Sequence, residues 1–299
     1  MRKECIDKVK KYKILMCYGK TNFTPGRYLE DGLRAIGLTV DVYEQVIDFN
    51  KIDLTSYIAV LFVESPARPP IHVQNITQVT IPKILWIHHG ENRLVTNMRL
   101  MTQYQPDLIL MAHSLHLAKH FSIPVHFFPF AMANEIFNSN KPLLNRSTDI
   151  SSVATLDSLY YQQRQKAIRL LKEQFKTNYQ MSFHKRVFLD QLATTYSNSK
   201  IVLNHTADHI KSLNMRLFEG VGCGSLVLSD YVPKMEEIFT DGKHLVLFEN
   251  HQDLLEKADY YLNHLEEAQI IASAGYRHLL SHHTYENRAH ELLNIIEEL

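Results

Sequence analysis

The chain has 299 residues, 45% of them hydrophobic, and its 32 basic and 32 acidic side chains cancel. That length supports a sizeable core and, at roughly 150 residues per domain, two domains, while the balanced charge carries no overall signature of a nucleic-acid or anionic-membrane partner. The charged start, Met1 to Lys20, lacks the apolar stretch of a signal peptide and no run reaches the ~18 apolar residues of a membrane span, which predicts a cytoplasmic protein.

In chain order, residues 13–18 (KILMCY) form a short apolar run ended by Gly19, and Tyr28 to Ile36 places apolar residues at helical spacing. Gly37 supplies a helix stop and residues 38–42 (LTVDV) alternate as a strand, so the first forty residues read as a βαβ unit. Residues 58–63 (IAVLFV), 83–87 (KILWI), 107–111 (DLILM) and 125–128 (VHFF) continue as short buried strands, the pattern of an open, doubly wound parallel sheet. The polar stretch 138–148 (NSNKPLLNRST) reads as a boundary, giving one α/β domain over 1–137 and a second over 148–299, whose last helix is free to pack back on the first. In the second, 150–155 is a strand, 160–175 an amphipathic helix, 200–203 a strand after a mainly helical stretch, and 213–221 a helix. Residues 225–228 and 245–248 are further strands, and the chain from Asp253 onward is helical.

The most informative stretch is 199–230, SKIVLNHTADHIKSLNMRLFEGVGCGSLVLSD. Ligands of open α/β sheets bind beyond the carboxyl ends of the strands, where Asn204, His205 and Thr206 fall. The helix beginning near Asn214 and Met215 offers free backbone N–H groups and a positive dipole end, a natural seat for a diphosphate. Glu219, three residues after Arg216, has the reach to accept from a pair of ribose hydroxyls, with Arg216 on a phosphate or supporting the carboxylate. The same spacing equally fits a helix capped at Gly222 or Gly224 with Arg216 and Glu219 as a surface pair.

In the first domain, Gly19 to Gly26 (GKTNFTPG) joins strand to helix, and Gly26 lets backbone come close to donor phosphates; the spacing is not that of a Walker loop. His88 and His89 follow the KILWI strand and are candidate general bases for an acceptor hydroxyl, as well as ordinary loop histidines; Glu64 holds the equivalent position after IAVLFV. His113, His116 and His120 share a helical face but lack the Cys or carboxylate that would complete a metal site. Cys5, Cys17 and Cys223 are widely spaced and odd in number, which fits reduced thiols.

The run Arg216-Leu217-Phe218-Glu219-Gly220-Val221-Gly222-Cys223-Gly224-Ser225-Leu226-Val227-Leu228-Ser229-Asp230 resembles the glycosyltransferase group 1 superfamily, and most closely its CgeB (spore maturation protein) branch. Glu236 to Phe239, Asp241-Gly242-Lys243, Leu245 to Phe248, Ala274-Gly275 and His283 to Arg288 extend the resemblance over about residues 199–295. It implies the GT-B fold, two Rossmann-like doubly wound domains facing each other across a cleft. It further implies a nucleotide-diphosphate-sugar donor held by the second domain, an acceptor hydroxyl held by the first, and hexosyl transfer with neither metal nor cofactor. The nucleotide-sugar residues it suggests, with those read above, are Gly26, Arg164, Asn204, His205, Asn214, Met215, Arg216, Glu219 and Gly224, Glu219 matching the family's ribose-binding glutamate. Lys211 stands where many members carry a second glutamate, and 151–155 lacks a glycine often seen there. A nucleotide-sugar epimerase of the same fold and a non-catalytic GT-B binding protein are the alternatives.

Overall fold

The computed structural model describes residues 12–65 and 67–299. They divide into two compact units, one comprising the chain up to Phe130 with Tyr285–Leu299, the other Ala131–Thr284. The polar stretch 138–148 therefore lies inside the second unit.

The first unit contains β1 (Lys13–Cys17), α1 (Pro25–Ala35), β2 (Thr39–Tyr43), β3 (Val46–Asp48), β4 (Tyr57–Val63) and β5 (His72–Gln74). It continues with β6 (Lys83–Ile87), α2 (Leu94–Tyr104), β7 (Leu108–Met111) and β8 (Val125–Phe127). Six strands form one sheet in the order β2-β1-β4-β6-β7-β8, every pairing parallel, while β3 and β5 pair separately. The apolar runs become its central strands because both faces are covered: Leu15, Val60, Leu85 and Ile109 are wholly buried. Pro25 opens α1 with a preset φ, and Gly37, at φ 95°, ends its turn where a side chain would be strained. The chain leaves β1 toward β2 on one side and reaches β4 on the other, so the crevice beyond the carboxyl ends of β1 and β4 is the unit's topological switch point.

The second unit contains β9 (Thr148–Val153), α3 (Gln162–Phe175), β10 (Met181–His184), α4 (Leu189–Ser197), β11 (Ser199–Asn204) and α5 (Met215–Gly222). β12 (Leu226–Asp230), β13 (Val246–Phe248), α6 (His251–Asn263) and α7 (Leu265–His282) complete it. Its parallel sheet has the order β10-β9-β11-β12-β13, with the switch point between β9 and β11. Both units are thus Rossmann-like. β10 falls within the stretch read as mainly helical; it is a half-buried edge strand, MSFH, without the continuous apolar run that marks its neighbours.

The amino end of this sheet is tied together by Arg146. Its guanidinium donates to the carbonyls of Lys141, Tyr196, Ser199 and Cys223 and to Ser225 Oγ, at 2.7–3.3 Å. Burial lowers its pKa to about 10, still well above neutrality, so the buried charge is retained and is satisfied by carbonyl dipoles.

Tyr285–Glu297, α8, belongs to the first unit and packs on α1. A Cβ on Gly32 would lie 2.4 Å from the Tyr285 carbonyl oxygen, so only glycine permits this approach. Tyr28 and Tyr285 meet with ring centroids 5.5 Å apart, and Arg288 Nε donates to the Pro129 carbonyl at 3.1 Å. Among the described residues no helix is long and apolar enough to cross a membrane.

Candidate functional site

The switch point of the second unit gathers several of the residues singled out from the sequence. Arg164, buried on the first turn of α3, spans the two strands that flank it: Nε donates to the His205 carbonyl at 2.6 Å, beyond β11, and Nη1 to the Thr155 carbonyl at 2.8 Å, beyond β9. Its guanidinium lies 4.4 Å over the Tyr161 ring. Burial lowers its pKa to about 10, and Arg216 adds to the fall, which places two cations side by side. Arg216 in turn donates Nε to Asn204 Oδ1 at 3.2 Å, fixing the start of α5 to the end of β11. Neither guanidinium has a carboxylate salt-bridge partner among the described residues, an arrangement suited to a polyanion.

Asn214 is the extended N-cap of α5, yet its side chain caps nothing; both its amide atoms are buried without a hydrogen-bond partner among the described residues. Buried amides are ordinarily satisfied, so these two atoms are open to further hydrogen bonds. Met215 opens the helix beside it. Glu219 lies one turn further on, buried, and burial pushes its carboxyl up to about 7 against the opposing pull of Arg216.

A second cluster, of which only His205 and Thr206 stood out in the sequence, completes this end of the sheet. Asp230, the last residue of β12, accepts from the Thr206 amide at 2.9 Å and from Thr206 Oγ1 and Lys211 Nζ, both at 2.5 Å. Burial alone would raise its pKa, but His205, Lys211 and Thr206 hold it below the ordinary range. His205, 3.8 Å from that carboxylate, is itself shifted down by burial and so rests neutral near pH 7. A carboxylate ending an apolar strand, LVLSD, is the signal that would have found it. Lys211 is thus committed to Asp230.

Gly224 stands apart from this group. It follows the carboxyl end of α5, before β12, at the sheet's opposite end; its φ is +65°, and a Cβ would meet the Ser139 carbonyl oxygen at 2.5 Å and Arg146 Nη2 at 3.1 Å. Its glycine serves the Arg146 junction. Gly26 likewise is explained by packing within the first unit, since a Cβ there would lie 3.0 Å from the Tyr18 ring and 3.2 Å from Val63.

In the first unit Glu64, beyond β4, does not present a free base. Oε2 accepts the backbone N–H groups of His88 and His89, both at 2.8 Å. Arg93 Nε at 2.8 Å and His89 Nδ1 at 3.3 Å approach Oε1 as charge contacts without hydrogen-bond geometry. Burial would raise Glu64, but His89, then His88, hold it below the usual carboxylate range, so it acts as a fixed anion that shapes the 88–89 loop. His88 is buried edge-on against Trp86, ring centroids 4.2 Å apart, and burial drives its pKa down to about 3. That makes it a poor base. His89 is the partly exposed imidazole of the pair, its side chain 37% accessible, and Asn97 Nδ2 donates to its carbonyl at 2.8 Å.

The histidines 113, 116 and 120 do not share a face. His113 is buried ahead of a short 3₁₀ turn, with Nε2 2.7 Å from the His88 carbonyl, whereas His116 is exposed 3.1 Å from Glu91 and His120 is exposed. Among the described residues no three His, Cys, Asp or Glu side chains converge as metal ligands. Cys17 and Cys223 are buried free thiols, the latter raised to about 12 by burial, while Cys5 lies outside the described residues.

Residues 131–294 match the glycosyl transferase-like family, over half of the chain and including the whole of the second unit. No curated protein matches the chain in sequence. Solved structures are similar throughout its length. A sucrose-phosphate synthase from Thermosynechococcus elongatus is 11% identical with a TM-score of 0.61, over 96% of this chain and 99% of that one. An alpha-glucosyltransferase solved with UDP-glucose and DNA containing an abasic site is 11% identical with a TM-score of 0.66, over 96% and 99%. Anabaena HepE, solved with UDP-glucose, is 9% identical with a TM-score of 0.60, over 96% and 100%. At these identities the likeness shows the fold, the two Rossmann-like domains of GT-B proteins.

Proposed function

The chain belongs to the glycosyl transferase-like family, and on that premise we propose that it transfers a hexosyl group from a nucleotide-diphosphate sugar to an acceptor hydroxyl. The carrying observation is the convergence, inside the family-matched segment, of Arg164, Arg216, the unsatisfied Asn214 amide and buried Glu219 at the carboxyl ends of β9 and β11. Each group has a role in that reaction. Arg164 and Arg216, with the first N–H groups of α5 at Met215, take the diphosphate and stabilise it as it leaves. Glu219, ionised, accepts from the ribose hydroxyls, and Asn214 gains its missing partners from the ligand.

The acceptor is assigned to the first unit, with His89 as the base and Glu64 as the residue that positions it. His88 lends its ring to packing instead. Within the family the Arg216–Asp230 run favours the CgeB-like branch. UDP-glucose, present in the structures of two similar proteins, is the first donor to test.

The two guanidiniums and the helix start supply the positive charge that a diphosphate needs, so transfer is expected to proceed in EDTA. Incubating the protein with UDP-glucose and an acceptor panel, and following UDP release, tests the reading. The result against it is no release together with no thermal shift from any nucleoside diphosphate. Conversion of donor to a second sugar without an acceptor, read by NMR, would make it an epimerase instead.

A further inference from the structure

A groove of about 750 Å³ runs along the outer face of α3 in the second unit, a volume in the range of small-ligand sites. Its floor is apolar: Ile168 belongs to the core, and Tyr179, just before β10, and Met181, its first residue, pack against that core. Its rim is cationic: Arg169 and Lys172 lie three residues apart on one face of α3, and Lys176, which caps the carboxyl end of that helix, continues the row. The single acid on the lining, Glu173, lies 3.9 Å from Arg169 and offsets that charge alone. Lys172 and Lys176 have no salt-bridge partner among the described residues, in a chain whose overall charge is zero. Lys172 Nζ is held 5.4 Å over the Phe183 ring, which keeps one cation at the groove's edge.

Tyr179 is a fixed platform. Its ring meets Phe175 edge-on at 5.3 Å, and its hydroxyl lies 3.3 Å from Asp259 Oδ1 and 3.2 Å from Asn263 Nδ2. Gln165, whose Nε2 donates to the Leu156 carbonyl, and Gln180 also line the groove. A rigid aromatic ring on an apolar floor suits a ligand with an apolar ring face, and the row of cations suits one bearing an acid on successive units.

We propose that this groove binds an acidic oligosaccharide, a sugar chain carrying carboxylates, at a site separate from the one assigned to the nucleotide sugar. The sugar rings lie on Tyr179 and the floor, and the carboxylates pair with Lys172 and Lys176. The site exists whether or not the transfer reaction is as described above, since it needs only the second unit's own surface.

Titration calorimetry with oligogalacturonate tests it, with the methyl-esterified oligomer as a control of the same backbone without charge. The expected result is saturable binding of the acid form, at least tenfold weaker binding of the ester, and weakening with added salt. The double variant Lys172→Glu, Lys176→Glu is expected to lose at least tenfold in affinity with unchanged melting temperature and UDP affinity. Tyr179→Phe, which keeps the ring, is expected to retain binding. No binding of oligogalacturonate overturns the proposal, as does equal affinity in the double variant. Equally tight binding of an oligoglutamate or an oligodeoxynucleotide would reduce the groove to an unselective basic strip, and displacement of oligogalacturonate by UDP would place the ligand in the donor site.

Discussion

Arg216 donates its Nε to Asn204 Oδ1 at 3.2 Å, which binds the first turn of α5 to the last residue of β11. The bond sets a guanidinium, the open N–H groups of a helix start and a buried carboxylate around one point. Changing single members of this arrangement, or of its counterpart in the first unit, should therefore separate donor affinity from transfer rate and from stability.

Glu219→Ala is expected to weaken UDP binding roughly ten- to hundredfold, the loss of hydrogen bonds to a charged acceptor worth about 1.5–3 kcal/mol. Because burial raises its carboxyl to about 7, the protein binds a proton there that the unfolded chain releases near the ordinary value of 4.5. Stability from this residue therefore falls as pH rises from 4.5 to about 7, while affinity rises through pH 7 as the accepting carboxylate ionises. Glu219→Gln should flatten both trends in calorimetry and thermal melts; wild-type slopes in that variant would exclude the assignment.

Glu64→Gln removes the anion that accepts two N–H groups from the 88–89 loop. The expected cost is about 1.5–3 kcal/mol of stability, with a slower transfer rate and an unchanged affinity for UDP. Denaturant melts and steady-state kinetics read these separately. A weakened UDP affinity would show that Glu64 serves the donor and not the loop.

Burial holds His88 at about 3 and His113 at about 4, both below the ordinary 6.5. The unfolded chain takes up these protons first, so stability is complete above pH 6.5 and declines as pH falls from there toward 4 and 3. Replacing His113 by Gln should lower the melting temperature near neutrality and make its decline below pH 6.5 shallower, measured by thermal melts across pH 4–8.

Gly224→Ala should destabilise by about 1–3 kcal/mol, since it forces an alanine to positive φ against the Ser139 carbonyl. UDP affinity at temperatures where the variant is folded should not change. A selective loss of affinity would return Gly224 to the ligand site.

The two sheets were legible because their central strands are apolar on both faces, and runs such as KILWI and SLVL are too short for a helix and too apolar for a loop. β10 was not, since an edge strand with one covered face needs only scattered apolar residues. The residues beyond β11 were legible from strand ends and helix starts, which are local signals. Asp230 with Lys211, and Glu64 with Arg93, depend on pairs 19 and 29 positions apart whose encounter is decided by topology. Gly224 shows the converse limit. A glycine motif announces a tight backbone, but the neighbour that requires it, here Arg146 from the stretch read as a boundary, is set by the fold.

The seam between α1 and α8 has a consequence for synthesis. Gly32 and Tyr28 face a helix encoded about 250 positions after α1 ends. At 5–20 residues per second, a ribosome makes α1 wait roughly 12–50 s for that partner, while the whole of Ala131–Thr284 is made in between. The nascent first unit must survive that interval with the apolar flank of α1 uncovered, which makes it the stretch where a holdase would be expected to engage and where premature termination would leave an aggregation-prone product.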